Sequence, residues 1–142
     1  MDNKIKILLV DDDEMIRIYF RDIFWIHGLD NKYEFSVAEN IEKAEKIISD
    51  PKNRPNLMLL DLTMPVEKDD RVSVSPEAGL EFLKKIKSDS ELKKIKVVVF
   101  SGHSEPALQK QAKELGAENY LIKGNNLPME LIEFVEKTTK TR

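Results

Sequence analysis

Short uninterrupted apolar runs recur along this 142-residue chain with an amphipathic stretch between each and the next, and no other feature restricts its fold as much. Ile5 to Val10, Leu57 to Leu60 and Val97 to Phe100 read as strands covered on both faces, because a strand with one wet face alternates apolar and polar residues. Tyr33 to Val37 and Tyr120 to Ile122 carry the same signal more weakly.

The intervening segments have helical period. Between Met15 and His27, the residues Ile16, Tyr19, Phe20, Ile23 and Phe24 share one face, and Gly28 supplies the stop. Ile41, Ala44, Ile47 and Ile48 mark a second helix ended by Asp50-Pro51. Ser75-Pro76-Glu77 predicts an N-cap with proline at the first helical position, followed by Leu80, Leu83 and Ile86 facing inward. Ser104 is expected to cap a fourth helix, with Ala107, Leu108, Ala112 and Leu115 inward and Gly116 at its end. A fifth follows Asn126 and uses Leu131, Phe134 and Val135. Strict alternation of strand and helix predicts an α/β chain with an open, doubly wound parallel sheet and right-handed crossovers. With the fifth helix nearly at the end of the chain, one domain over residues 1–142 is expected.

Composition narrows the function. Hydrophobic residues make up 41% and charged residues 35%, a globular balance rather than a disordered one. A net charge of −3 argues against holding nucleic acid through a bulk positive field. The lysines at 84, 85, 87, 93, 94 and 96 are interleaved with Asp89 and Glu91 and read as a solvated helix end. Without cysteine there is no disulfide or thiol chemistry. The first apolar run is too short for a secretory core or a membrane span, so a cytoplasmic location is expected.

In such sheets the working site lies beyond the carboxyl ends of the strands, where the strand order reverses. After the first strand come Asp11, Asp12 and Asp13; after the third, Asp61; after the fourth, Ser101; after the fifth, Lys123. Carboxylates brought together repel unless a cation joins them. Magnesium takes one or two carboxylates and keeps positions open for phosphate oxygens, so Asp11, Asp12 and Asp61 are candidate ligands with Asp61 also the nucleophile. Ser101 offers a hydrogen bond and Lys123 a positive charge to a phosphoryl group. Each residue alone also has an ordinary explanation: the Asp11–Asp13 run can cap a helix, Asp61 can end a strand, Ser101 can fill a turn and Lys123 can be a loop lysine. Their joint placement after successive strands is what carries the functional reading.

The stretches Ile7-Leu8-Leu9-Val10-Asp11-Asp12, Leu59-Leu60-Asp61-Leu62-Thr63-Met64-Pro65, Val99-Phe100-Ser101-Gly102 and Tyr120-Leu121-Ile122-Lys123 make the chain resemble the receiver domain of two-component response regulators. The resemblance runs over nearly its whole length and fits the stand-alone type. It implies a five-stranded parallel sheet in flavodoxin-like order 2-1-3-4-5 with five helices. It further implies Mg2+ dependence, phosphorylation from a histidine kinase or a histidine phosphotransfer protein, and an output through an unnamed protein target. By the same resemblance Asp61 is the phosphoacceptor, Asp11 and Asp12 the metal-binding acids, and Thr63 the residue whose backbone carbonyl completes the metal shell. Ser101 and Lys123 track the phosphoryl group, and Tyr120 is the aromatic that turns inward on activation.

Three features depart from that pattern. Gly124 follows Lys123 where proline in a cis bond is usual, which predicts a trans link and a more loosely held lysine. Residues 66–75 lengthen the connection after Asp61, and are expected either to screen the site or contact the kinase, or to be a tolerated surface loop. No output domain is expected beside the receiver, so the chain is expected to act by docking to a partner or by passing the phosphoryl group on. Met15, Ile18 and Trp25 form a second apolar stripe on the first helix, read as the edge of a wide core-facing surface, with a kinase-docking face as the other possibility. His27 reads as a helix-end histidine that complements the dipole, and His103 as a loop histidine, with an influence on the phosphate lifetime as its other possibility. Two rival functions fit less well: a magnesium phosphohydrolase, which would place a second acid where Thr63 stands, and a phosphate-independent interaction module of the same fold.

Overall fold

The computed structural model describes residues 4–68, 71–124 and 128–140. In chain order the elements are β1 (Ile5–Val10), α1 (Glu14–Ile26), β2 (Tyr33–Ala38), α2 (Ile41–Ser49), β3 (Leu57–Leu60), β4 (Met64–Lys68) and β5 (Arg71–Ser75). They continue with α3 (Glu77–Ser88), β6 (Lys96–Ser101), α4 (Pro106–Glu114), β7 (Asn119–Ile122) and α5 (Pro128–Lys140). Five strands form one sheet in the order β2-β1-β3-β6-β7, every pairing parallel. Counting only the strands of this sheet, the order is the expected 2-1-3-4-5.

Alternate residues of each strand feed two separate cores. On one side α1 contributes Phe20, Ile23 and Phe24, and α5 contributes Leu131, Ile132 and Val135, against Ile7, Leu9, Leu57, Leu59, Val98 and Phe100. On the other, α2, α3 and α4 bring Ala44, Ile48, Leu80, Leu83, Ile86, Leu108 and Ala112 against Leu8, Val10, Met58, Leu60, Val97 and Val99. Residues 7–10 and 57–60 are each no more than 1% exposed, which is why both runs lack polar residues. At about 1.5–3 kcal/mol for each large apolar side chain removed from water, these two strands anchor the fold.

The segment after β3 differs from expectation. The described residues 66–68 and 71–75 are strand rather than loop: β4 and β5 pair antiparallel, Met64 opposite Ser75 and Lys68 opposite Arg71. Val72 and Val74 alternate with polar neighbours, a strand signature that the surrounding charges obscured. The connecting Asp69 and Asp70 lie outside the described residues. Ser75 therefore belongs to a strand, and Pro76 rather than Ser75 is the N-cap of α3. Likewise Ser104 does not cap α4; Glu105 does, because Pro106 takes the first helical position. Ala107 is exposed rather than inward. Asn126 lies outside the described residues.

On α1 the predicted inward face holds for Phe20, Ile23 and Phe24, whereas Tyr19 is 37% exposed. The second stripe does not face the core: Met15, Ile18 and Trp25 are 72%, 42% and 69% exposed. Core contact takes up only one side of this helix, and the stripe lies on the opposite side. Gly79, in the first turn of α3, has a structural task. A Cβ there would sit 2.5 Å from Leu62 Cα, so only glycine lets α3 approach the backbone that follows Asp61.

Candidate functional site

The site forms where the sheet changes direction. β1 is flanked by β2 on one side and β3 on the other, so the carboxyl ends of β1 and β3 border the crevice expected at such a switch. Val10 pairs with Leu60, and Asp61 N–H donates to the Val10 carbonyl at 2.9 Å, so Asp11 and Asp61 leave the sheet at one level. Ser101 ends β6 opposite Ile122 of β7, which brings Lys123 out beside it; Lys123 N–H donates to the Ser101 carbonyl at 2.8 Å.

Asp11, Asp12 and Asp61 converge, with one ligand oxygen of each within 4.8 Å of the others. Asp11 is fully buried and Asp61 is 4% exposed, while Asp12 faces solvent. Asp11 Oδ1 accepts from Asp13 N–H at 2.9 Å. Asp11 Oδ2 is buried and is paired with the Lys123 ammonium 2.8 Å away. Lys123 Nζ also lies 3.1 Å from Asp61 Oδ2, and Asp61 Oδ1 accepts from Thr63 N–H at 3.1 Å. Asp13 takes the ordinary role: its carboxylate caps α1 through Met15 N–H.

Three carboxylates against one ammonium leave the crevice short of positive charge. Burial is the main reason the Asp61 carboxyl is held above the ordinary carboxylate range; Asp11 adds to the rise, and Lys123 and the Thr63 N–H oppose it. Lys123 shows the converse balance: burial pulls its pKa down, but Asp11 and Asp61 outweigh that and hold it above the ordinary lysine value. The donor set is all oxygen, and three converging carboxylates face a single ammonium, so these residues suit a hard divalent cation. The link after Lys123 is trans, as expected from Gly124, which adopts a left-handed φ of 87°. The lysine is nonetheless tied down by its two carboxylate contacts.

Ser101 is fully buried, and its Oγ accepts from His103 N–H at 3.1 Å. Tyr120 is 7% exposed and points inward, its hydroxyl donating to the His103 carbonyl at 2.8 Å. Burial raises the Tyr120 phenol above its usual pKa, against the opposing effect of the Ser101 hydroxyl. The structure thus brings Asp11, Asp12, Asp61, Thr63 and Lys123 to one crevice, with Ser101 and Tyr120 beside it on the next two strands.

Two participants escaped sequence reasoning. His103 holds Tyr120 and Ser101 through its backbone, which no side-chain pattern reports. Phe100 lies under the Lys123 ammonium, 5.8 Å from ring centroid to Nζ. Phe100 also lines an apolar groove of about 310 Å³ with Met15, Ile16, Tyr19, Gly124 and Leu131, opening next to Lys123.

The family model described as the response regulator receiver domain matches residues 7–136. Sporulation initiation phosphotransferase F of Bacillus subtilis (strain 168) is 33% identical over 118 residues, which cover 83% of this chain and 81% of that protein. The phosphate regulon transcriptional regulatory protein PhoB of Pseudomonas aeruginosa is 30% identical over 126 residues, 89% of this chain but 48% of that longer protein. Among solved structures, the Mn2+-bound form of response regulator Rcp1 superposes with a TM-score of 0.69 at 27% identity, covering 96% of this chain and 92% of that one.

Proposed function

Since this chain belongs to the response regulator receiver family, we propose that it is a phosphoacceptor switch in which Asp61 takes the phosphoryl group. The observation that carries this reading is the buried Asp11–Asp61–Lys123 cluster at the sheet's reversal point, with Asp12 at its rim. An Asp61 carboxylate oxygen forms the new P–O bond while the donor's bond to phosphorus breaks, its electron pair leaving with the donor group. A histidine kinase or histidine phosphotransfer protein is the donor we favour, which makes that bond P–N.

Magnesium, held by Asp11, Asp12, Asp61 and the Thr63 carbonyl, would neutralise charge gathering on the phosphoryl oxygens. A solved relative described as Mn2+-bound, similar over nearly the whole chain, supports a divalent ion here. Lys123 and Ser101 then hold phosphoryl oxygens, one by charge and one by hydrogen bond. Phosphorylation replaces the single charge of the Asp61 carboxylate with roughly two on a phosphate that has three acceptor oxygens, beside both groups. Ser101 is shared between the site and the turn that anchors Tyr120, so its movement toward phosphate couples chemistry to the position of the ring and biases the β6–α4 surface. The apolar groove beside Gly124 gives the donor a footing next to Asp61.

Receiver domains serve as signalling switches rather than turnover enzymes. The phosphohydrolase alternative lacks its second acid, since Thr63 stands two residues beyond Asp61. Among the described residues no helix is long and apolar enough to cross a membrane. Incubation with acetyl phosphate and magnesium, followed by intact-mass measurement, tests the reading. Wild type gains one phosphoryl group and Asp61→Asn gains none; equal labelling of both, or of neither, contradicts it.

A further inference from the structure

α2 and α3 cover the sheet face opposite α1 and α5, and a trough runs between them. The ion pair of Lys85 with Glu45 spans this trough. Phe82, only 4% exposed, lies beneath it on both sides of the bridge. Toward the C-terminal ends of the two helices the space is small, about 130 Å³ between Ile48, Ile86 and Leu92. Toward their N-terminal ends it widens to about 340 Å³ over Ile41, Ala78 and Phe82, with Glu42 on the α2 rim and Glu81 on the α3 rim.

The bridge shows what kind of side chain the trough accepts. Lys85 leaves α3, lines both cavities and meets Glu45 of α2. A lysine suits that place because its methylene stem packs on apolar surface while the ammonium reaches a carboxylate. Ala78 precedes Lys85 by two turns on the same face of α3, and its methyl group is too short to cross. Glu42 precedes Glu45 by one turn on α2. The wide segment therefore repeats the setting of the bridge and adds a second carboxylate, that of Glu81. Among the described residues no cation spans it: Glu42 has Lys46 3.9 Å away along its own helix, and Glu81 has no ion pair. The apolar cavity between the two carboxylates distinguishes them from ordinary solvated surface acids, and it calls for a cation on an aliphatic stem.

We propose that the α2–α3 trough is a docking groove for a partner segment that sets a lysine or arginine between Glu42 and Glu81 and an apolar side chain over Ile41 and Phe82. It lies on the other face of the sheet from the apolar groove beside Gly124, so the two surfaces are separate. A contact built on exposed rim charges is weak and salt-sensitive.

Titration of the isotope-labelled chain with a capped helical peptide, a leucine stripe flanked by lysines, tests this by amide chemical shifts. A twin peptide with glutamate in place of each lysine is the comparison. The lysine peptide is expected to move the signals of Ile41, Ala78 and Phe82, and the twin to leave them in place. Glu81→Lys removes one rim carboxylate, and Ala78→Lys sets the chain's own lysine across the wide segment; each weakens binding about tenfold. Glu133→Lys makes the same charge change as Glu81→Lys but on α5, across the sheet, and leaves the affinity within about twofold of wild type. Shifts confined to other surfaces, no shifts at about 1 mM peptide, equal binding of the twin, or a loss from Glu81→Lys no greater than from Glu133→Lys overturns the proposal.

Discussion

The two edges of the main sheet treat polar groups in opposite ways. At the carboxyl edge Asp11, Asp61 and Ser101 are buried, and they are the buried polar residues among those described. Asp11 and Asp61 share one ammonium, that of Lys123, between them. At the amino edge the polar groups near the surface are matched. Asn56 Oδ1 accepts from Lys6 N–H at 2.8 Å, and Asn56 N–H donates to the Lys6 carbonyl at 2.8 Å. Lys96 Nζ donates to the Thr138 carbonyl at 2.8 Å, and Arg54 Nε to the Ile48 carbonyl at 2.8 Å. One edge holds charge in a state that a cation or phosphoryl group relieves, and the other closes the sheet. Stability is sacrificed where binding chemistry is needed and recovered where it is not.

The sharpest way to break this contrast is to add magnesium. Only the carboxyl edge lacks positive charge, so the ion stabilises the folded chain by about 2.7 kcal/mol at a hundredfold excess over its Kd. That corresponds to a rise in Tm of about 8 °C, reversed by chelator in a thermal melt. A melt indifferent to magnesium would remove the distinction between the edges.

Removing Lys123 comes next. Lys123→Ala leaves Asp11 and Asp61 facing each other without their ammonium, and is expected to destabilise the chain by about 2 kcal/mol in magnesium-free buffer. Magnesium should recover most of that loss, because the cation supplies the missing charge. Denaturant titration with and without the ion measures both.

Asp61→Asn has the opposite sign. The raised Asp61 pKa means that the folded chain keeps this proton to a higher pH than the unfolded chain. The resulting stability is complete below the ordinary carboxylate pKa and is lost as pH rises through the folded value. At neutral pH the ionised group therefore weighs on the fold, and Asp61→Asn should be more stable by about 1 kcal/mol without magnesium. Melts at decreasing pH should show that advantage vanish through the carboxylate range; an advantage that persists in acid would assign it to packing instead.

The smallest effect belongs to the amino edge. Asn56→Ala loses one side-chain hydrogen bond to Lys6 N–H and should destabilise by about 1 kcal/mol, while acetyl phosphate labelling stays at the wild-type level.

The two edges were also unequally legible in the sequence. Asp11, Asp61, Ser101 and Lys123 were visible because each directly follows an apolar run, and parallel pairing carries such positions to one edge. Position relative to a strand end is a property of the letters. The anchoring of Tyr120 by the His103 carbonyl was not visible, because a backbone acceptor is the same in every residue. The hairpin strands at 64–68 and 71–75 were hidden by their charged residues, which masked the alternation of Val72 and Val74. The outward stripe of α1 was misread because periodicity gives the spacing of apolar residues but not how much of a helix the sheet can cover. Ile18 and Trp25 have the spacing of core residues and lie on the side away from the core.

The central claim is that the buried carboxyl edge exists to receive phosphate at Asp61. Borohydride reduction of the acetyl-phosphate-treated chain, followed by peptide sequencing, tests it most directly, since hydride converts an aspartyl phosphate to homoserine. Homoserine at position 61, formed only with magnesium present, is the expected result. Homoserine at another aspartate, or at none, would contradict the account.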